Sequence, residues 1–92
     1  MQDRLLTLHP EGKSGVNMAR EKYEAMREAI LAALGTGELT HTKLVRTAEE
    51  RLRGRFEGSI PWHMECVKLD LLARGIIERA TKSSPQRLRL VK

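Results

Sequence analysis

The sequence predicts a mainly α-helical domain that ends in a small β-hairpin. Its 92 residues supply apolar area for a single core, which excludes two separate domains. Residues 17–34 contain neither glycine nor proline and repeat apolar side chains at helical spacing, whereas residues 87–90 alternate arginine with leucine. The hydrophobic fraction of 40% and the charged fraction of 32% are ordinary for a folded protein with a well-solvated surface.

The first 17 residues contain one proline and two glycines, and this composition predicts an amino-terminal arm with a turn. Residues 18–92 are predicted to form the single domain. Its first helix is predicted to begin near Asn17, whose side chain is a suitable cap, and to end at Gly35, which can take a positive φ angle.

Two more helices are predicted in the middle of the chain. Residues 38–40 form a short extended link whose last residue, Thr40, can cap a second helix. Gly54 is expected to end that helix. The third helix is predicted over residues 60–74, because Pro61 is tolerated in a first helical turn and Gly75 provides a stop.

The period of the sequence changes after the third helix. Residues 76–80 form a short extended run, and residues 81–85 (Thr-Lys-Ser-Ser-Pro) form a polar loop. The alternating residues 87–90 then complete a predicted β-hairpin with a long loop. Three helices, an extended link between the first two and a terminal hairpin are the element order of the winged helix-turn-helix, in which the hairpin is called the wing.

One junction carries the resemblance to this fold. The run Val67–Arg79 (VKLDLLARGIIER) resembles the sequence that joins the recognition helix to the wing in many bacterial winged helices. The resemblance implies that Leu71 packs inward, that Gly75 caps the helix, and that Ile76 and Ile77 start the first wing strand.

Two further segments extend the resemblance along the chain. Residues 8–17 (LHPEGKSGVN) and 58–62 (GSIPW) resemble a family of small stand-alone bacterial winged-helix proteins without assigned function. Pro61 and Trp62 more distantly resemble the amino-terminal winged helix of Mrr-type restriction proteins. These resemblances imply the fold and say little about the role.

The third helix has two apolar stripes on opposite sides of a helical wheel. The first consists of Ile60, Met64, Val67 and Leu71, and the second of Trp62, Cys66, Leu69 and Ala73. One stripe must face the core, so the other needs cover from the arm leucines (Leu5, Leu6 and Leu8) or from a second subunit. We therefore expect a homodimer joined through the first helix, the arm or the second stripe.

Charge is concentrated at the carboxyl end. Seventeen Lys and Arg against twelve Asp and Glu give the chain a net charge of +5. From Gly75 onward five basic residues stand against one acidic residue, which is +4 of that total. A polyanion is therefore the first partner to consider. A wing that neutralises several phosphates would bind duplex DNA with a strong salt dependence.

The leading hypothesis is a winged-helix DNA-binding protein, with regulation of transcription as the default role of the fold. The helix side chains expected to approach DNA are His63, Lys68 and Arg74, and the wing side chains expected to contact phosphates or the minor groove are Arg79, Lys82, Arg87 and Arg89. Two basic and two acidic residues leave the third helix neutral, so binding is expected mainly through the wing. Arg87 and Arg89 could equally be the solvated face of a terminal strand.

Other functions are weighed against this one. The second apolar stripe favours a protein-interaction module without sequence-specific DNA binding, and RNA binding is a weaker alternative. A lone Trp62 is more often a packing or interface anchor than a stacking residue. We expect no enzyme, metal or cofactor, because the three histidines are scattered and Cys66 is the single cysteine. With no apolar run long enough to span a bilayer and no signal peptide, a cytoplasmic protein is expected.

Overall fold

The computed structural model describes residues 3–13, 15–80 and 86–91. The described residues form three helices and two small antiparallel sheets, and about half of them are helical. In chain order the elements are β1 (Arg4–Leu6), β2 (Asn17–Ala19), α1 (Arg20–Leu34), β3 (Leu39–Thr40), α2 (His41–Leu52), α3 (Ile60–Ala73), β4 (Ile77–Arg79) and β5 (Arg87–Leu90). The three predicted helices are thus present.

The first helix begins three residues later than predicted, and Asn17 does not cap it. Asn17 is the first residue of β2, and Ala19 precedes α1 without any side-chain cap. β2 pairs with β1 in an antiparallel hairpin that sets Leu5 opposite Met18. Met18 is buried, so its apolar character reflects a core position in a strand rather than in a helix.

The second sheet has three strands in the order β3-β5-β4, all antiparallel. The predicted terminal hairpin is confirmed as β4 and β5, while its loop at residues 81–85 lies outside the described residues. The link between α1 and α2 is more than a connection, because β3 pairs with β5. This register places Leu39 opposite Leu88 and Thr40 opposite Arg87.

Local sequence signals fix the ends of α2 and α3. The Thr40 hydroxyl accepts a hydrogen bond of 3.2 Å from the Lys43 amide, which confirms the predicted cap. The Ser59 hydroxyl does the same for the Trp62 amide at 3.2 Å. Gly75 has a φ of +72°, a left-handed conformation that suits glycine and ends α3 as predicted.

The core lies between the three helices and the inner face of the three-stranded sheet. Its largest fully buried apolar side chains are Met26, Ile30, Leu44, Met64, Val67, Leu71 and Ile77. The first stripe of α3 therefore faces inward, as expected. His63 and Asp70 are buried beside it, so the inward side of α3 is wider than the predicted apolar stripe.

Candidate nucleic-acid interface

The last strand presents alternating residues to the core and to solvent. Leu88 is buried, whereas Arg87 and Arg89 on either side are exposed. Arg79 ends β4 and is also exposed. The Ala80 amide donates to the Arg87 carbonyl at 2.7 Å, so Arg79 and Arg87 both lie near the end of the hairpin that adjoins residues 81–85. Arg79 is opposite Leu88 in the register, which puts its side chain on the other face of the strand pair from Arg87.

Arg79 and Arg87 remain available to an anion. Neither guanidinium forms an ion pair with any Asp or Glu side chain in the described part of the chain. Lys82, the third cation expected in this region, lies outside the described residues. Two of the four predicted wing cations are therefore placed where a phosphate could reach them.

Arg89 is occupied within the molecule. Its Nε lies 2.5 Å from Oε2 of Glu78, and its Nη1 lies 3.6 Å from Oε2 of Glu38. The hydrogen bond to Glu78, followed by the negative charge of the same carboxylate, raises the pKa of the Arg89 guanidinium. Arg89 was expected to contact phosphates, but two carboxylates already bind its guanidinium in the free protein.

Two of the predicted α3 cations are also paired. Lys68 Nζ lies 2.9 Å from Oε2 of Glu65, and its side chain is only 13% exposed. Arg74 Nε donates to Oδ2 of Asp70 at 2.8 Å. Each cation is therefore paired with a carboxylate of α3, and these pairs leave the helix with the neutral charge that its composition predicts.

His63 is placed differently from the prediction. The residue is 8% exposed, and its Nδ1 lies 2.7 Å from the Ser59 carbonyl oxygen. The ring also packs edge-on against Phe56 and Trp62, with centroids 4.9 and 4.8 Å away. Because its ring is buried and its Nδ1 is occupied within the molecule, we do not assign His63 to the interface.

Asp70 explains why Arg74 is held in place. The Asp70 carboxylate is fully buried and accepts hydrogen bonds from the Tyr23 hydroxyl, the Arg74 guanidinium and the Leu8 amide. Burial, and then the hydrogen bond to Asp70, raise the pKa of the Tyr23 phenol. This network connects the amino-terminal segment, α1 and α3 by hydrogen bonds, and Arg74 has a structural role in it.

The strand pairing adds a cation that the sequence prediction missed. Because Arg87 is opposite Thr40, the β4–β5 hairpin adjoins the start of α2, whose first turn carries the exposed Lys43. Lys43 forms no ion pair with a described carboxylate. We call Arg87, Thr40 and Lys43 the basic corner. A count of charges by segment did not reveal it, since four glutamates in residues 35–58 offset the basic residues there.

His41 lies beside this corner, at the first position of α2. Lys68 Nζ is 3.1 Å from its Nδ1. Burial and then repulsion by Lys68 lower the pKa of His41, which Glu65 partly opposes. The lowered pKa disfavours the charged imidazole, so we do not count His41 among the cations of the corner.

A family profile matches residues 4–88, from the first strand to the middle of the last. The chain belongs to DUF6958, a family of unknown function. No curated protein matches it. The DUF6958 match covers most of the segment predicted as an arm, the three helices, β4 and the first half of β5. Among the described residues, no helix of this DUF6958 chain is both long and apolar enough to cross a membrane.

Proposed function

We propose that this DUF6958 protein is a winged helix-turn-helix protein that binds duplex DNA through its basic corner and the adjoining end of the wing. The order α1-β3-α2-α3-β4-β5 and the antiparallel sheet order β3-β5-β4 support the fold. The connection from α2 to α3, residues 53–59, supports the helix-turn-helix unit. Fold analogy alone suggests nucleic acid, so the function has to be argued from the side chains.

The observation that carries the proposal is the register of β3 with β5. It sets the exposed Arg87 beside the amino-terminal end of α2, next to the exposed Lys43. Cations and helix amino termini are both favourable contacts for phosphate oxygens. Arg79 lies at the same end of the hairpin, on the other face of the strand pair from Arg87, and is proposed to contact a separate phosphate. We assign these residues to backbone contacts, which give affinity without reading sequence.

The proposed contact has little capacity to read bases. The outward residues of α3 include Trp62, Cys66 and Leu69, and its Lys68 is paired with Glu65. Base edges are read chiefly by Arg, Lys, Asn and Gln in bidentate hydrogen bonds. We therefore propose binding that is similar for all duplex sequences and falls steeply with salt.

Fluorescence anisotropy with a mixed-sequence duplex at about 50 and 200 mM salt tests the proposal. We expect Arg87→Ala and Lys43→Ala each to weaken binding. Each should also make the negative slope of log K against log salt shallower by about 0.9, because one phosphate contact is lost.

Arg53→Ala is the matched control. It removes the same charge from an exposed residue at the other end of α2, roughly 18 Å away for a helix of this length. We expect its slope to stay at the wild-type value. Absence of binding at low salt would overturn the proposal, and equal effects of all three substitutions would overturn the assignment to the basic corner.

A protein-interaction module is the second candidate, and one observation favours it. Trp62 is 48% exposed on a helix without a net charge, and Leu6 and Leu8 of the arm segment are exposed as well. Exposed tryptophan is a frequent energetic anchor of protein interfaces. The homodimer expected from the second stripe of α3 is the form of this candidate that we test below.

A further inference from the structure

We infer that Glu38 and Glu78 limit the number of phosphates that the wing can hold, because they occupy Arg89 in the free protein. The inference rests on the proposed DNA binding and concerns the same surface. Two acidic residues thereby help to set the affinity of this surface for DNA.

The geometry places one carboxylate on each side of the arginine. β5 is the central strand of its sheet, with β4 on one side and β3 on the other. Glu78 lies on β4 directly opposite Arg89, and Glu38 immediately precedes β3. Their carboxylate oxygens approach the guanidinium to 2.5 and 3.6 Å. Both neighbouring strands thus contribute a counter-charge to the same cation.

The three side chains are accessible to a ligand. Arg89, Glu78 and Glu38 are each between about a third and a half exposed. They border an open cleft of about 810 Å³ that also includes the turn after α1 and Val91. A phosphate could therefore reach Arg89 sterically. The obstacle is electrostatic, because one guanidinium and two carboxylates carry a net charge of −1.

Arg87 provides the contrast. It lies two residues away on the same face of β5 and forms no ion pair with a described carboxylate. The two arginines therefore share strand and orientation and differ in their acidic neighbours. Removing the two carboxylates removes the negative charge that competes with a phosphate for the guanidinium, so Arg89 should become a phosphate contact like Arg87.

The test compares wild type with Glu38→Gln/Glu78→Gln, in duplex anisotropy titrations over a series of salt concentrations. Glutamine keeps the size of each side chain and an oxygen acceptor. We expect tighter binding at low salt and a slope that is steeper by about 0.9, since one more phosphate is neutralised. The control Glu24→Gln/Glu57→Gln makes the same change in net charge at two exposed residues outside the described ion pairs. Its slope should match that of wild type.

Arg89→Ala completes the cycle. We expect it to change wild-type binding little, because Arg89 is already occupied, and to remove the whole gain of the double glutamine variant. A gain that persists without Arg89, or a slope that does not steepen, would overturn the inference while the proposed function stands. If neither wild type nor the double variant binds duplex at low salt, both the proposed function and the inference are overturned.

Discussion

Asp70 joins three separate parts of the chain through one buried carboxylate. It accepts from Tyr23 on α1, Arg74 on α3 and the Leu8 amide of the arm segment. A buried carboxylate is tolerated only when its oxygens are satisfied and its charge is compensated. Arg74 supplies the charge, and the other two donors complete the hydrogen bonding. The residue is therefore structural, although it lies on the helix that sequence reasoning assigned to DNA.

Tyr23→Phe tests this network through alkaline stability. At neutral pH we expect the variant to be less stable by about 1–2 kcal/mol, because a buried acceptor loses its donor. The pKa of Tyr23 is raised in the folded protein, so the phenol stays protonated after the unfolded chain, with a pKa near 10, has lost its proton. Wild type should therefore lose stability as the pH rises from about 10 through the folded pKa.

Urea denaturation at a series of pH values measures the effect. The difference in unfolding free energy between wild type and Tyr23→Phe should shrink above about pH 10, because the variant lacks this titration. Cys66, whose pKa is also raised by burial, is present in both proteins and cancels. Parallel pH profiles would contradict the role given to the Tyr23 hydroxyl.

The sequence could predict which residues of the site are charged, but it could not predict which side chains surround each of them. The charge count placed the excess of cations in the carboxyl-terminal hairpin, but it could not distinguish Arg87 from Arg89. That distinction depends on Glu38, which comes near Arg89 only when β3 pairs with β5. His63 was assigned outward because a wheel of apolar residues underestimates a core that also encloses hydrogen-bonded polar side chains.

At the scale of elements, short-range signals gave accurate predictions. Thr40, Gly54 and Gly75 act within a few residues of their own position, so the sequence located both ends of α2 and the end of α3. β1, β2 and β3 were missed as strands, because two or three residues carry no period of their own. Their pairing with residues 11 or more positions away creates them.

The cap of α2 yields a prediction with a close control. Thr40→Ala removes the hydroxyl that accepts from the Lys43 amide, and we expect a loss of about 1 kcal/mol in unfolding free energy. Thr42→Ala changes the same residue type at an exposed position of the same turn. It should be neutral or slightly stabilising, since alanine has the higher helix propensity. Chemical denaturation measures both, and equal losses would contradict the capping role.

For the whole molecule, the distribution of exposed apolar groups bears on self-association. The exposed large apolar side chains among the described residues are Leu6, Leu8, Trp62 and Val91. The last of these lies at the end of the chain, away from α3 in sequence. A dimer interface is not expected to include the basic β4–β5 hairpin, because like charges at an interface repel each other. The neutral outer side of α3 meets that condition.

Light scattering over a range of micromolar concentrations tests the homodimer. We expect a concentration-dependent dimer for wild type. Trp62→Ala should raise the dissociation constant of the dimer at least tenfold, because a buried tryptophan anchor contributes more than about 1.4 kcal/mol to the binding free energy. Val91→Ala removes apolar area elsewhere and should leave the equilibrium unchanged. If the wild-type protein is monomeric at every concentration, the homodimer is contradicted.

The hydrogen bond from the Leu8 amide to Asp70 spans 62 positions of the chain. Closing so long a loop costs entropy that one contact does not recover. α1 and α3 must already hold the acceptor in place before the amino-terminal hairpin can attach to it. That hairpin is therefore expected to assemble late in folding and to detach first when the protein begins to open.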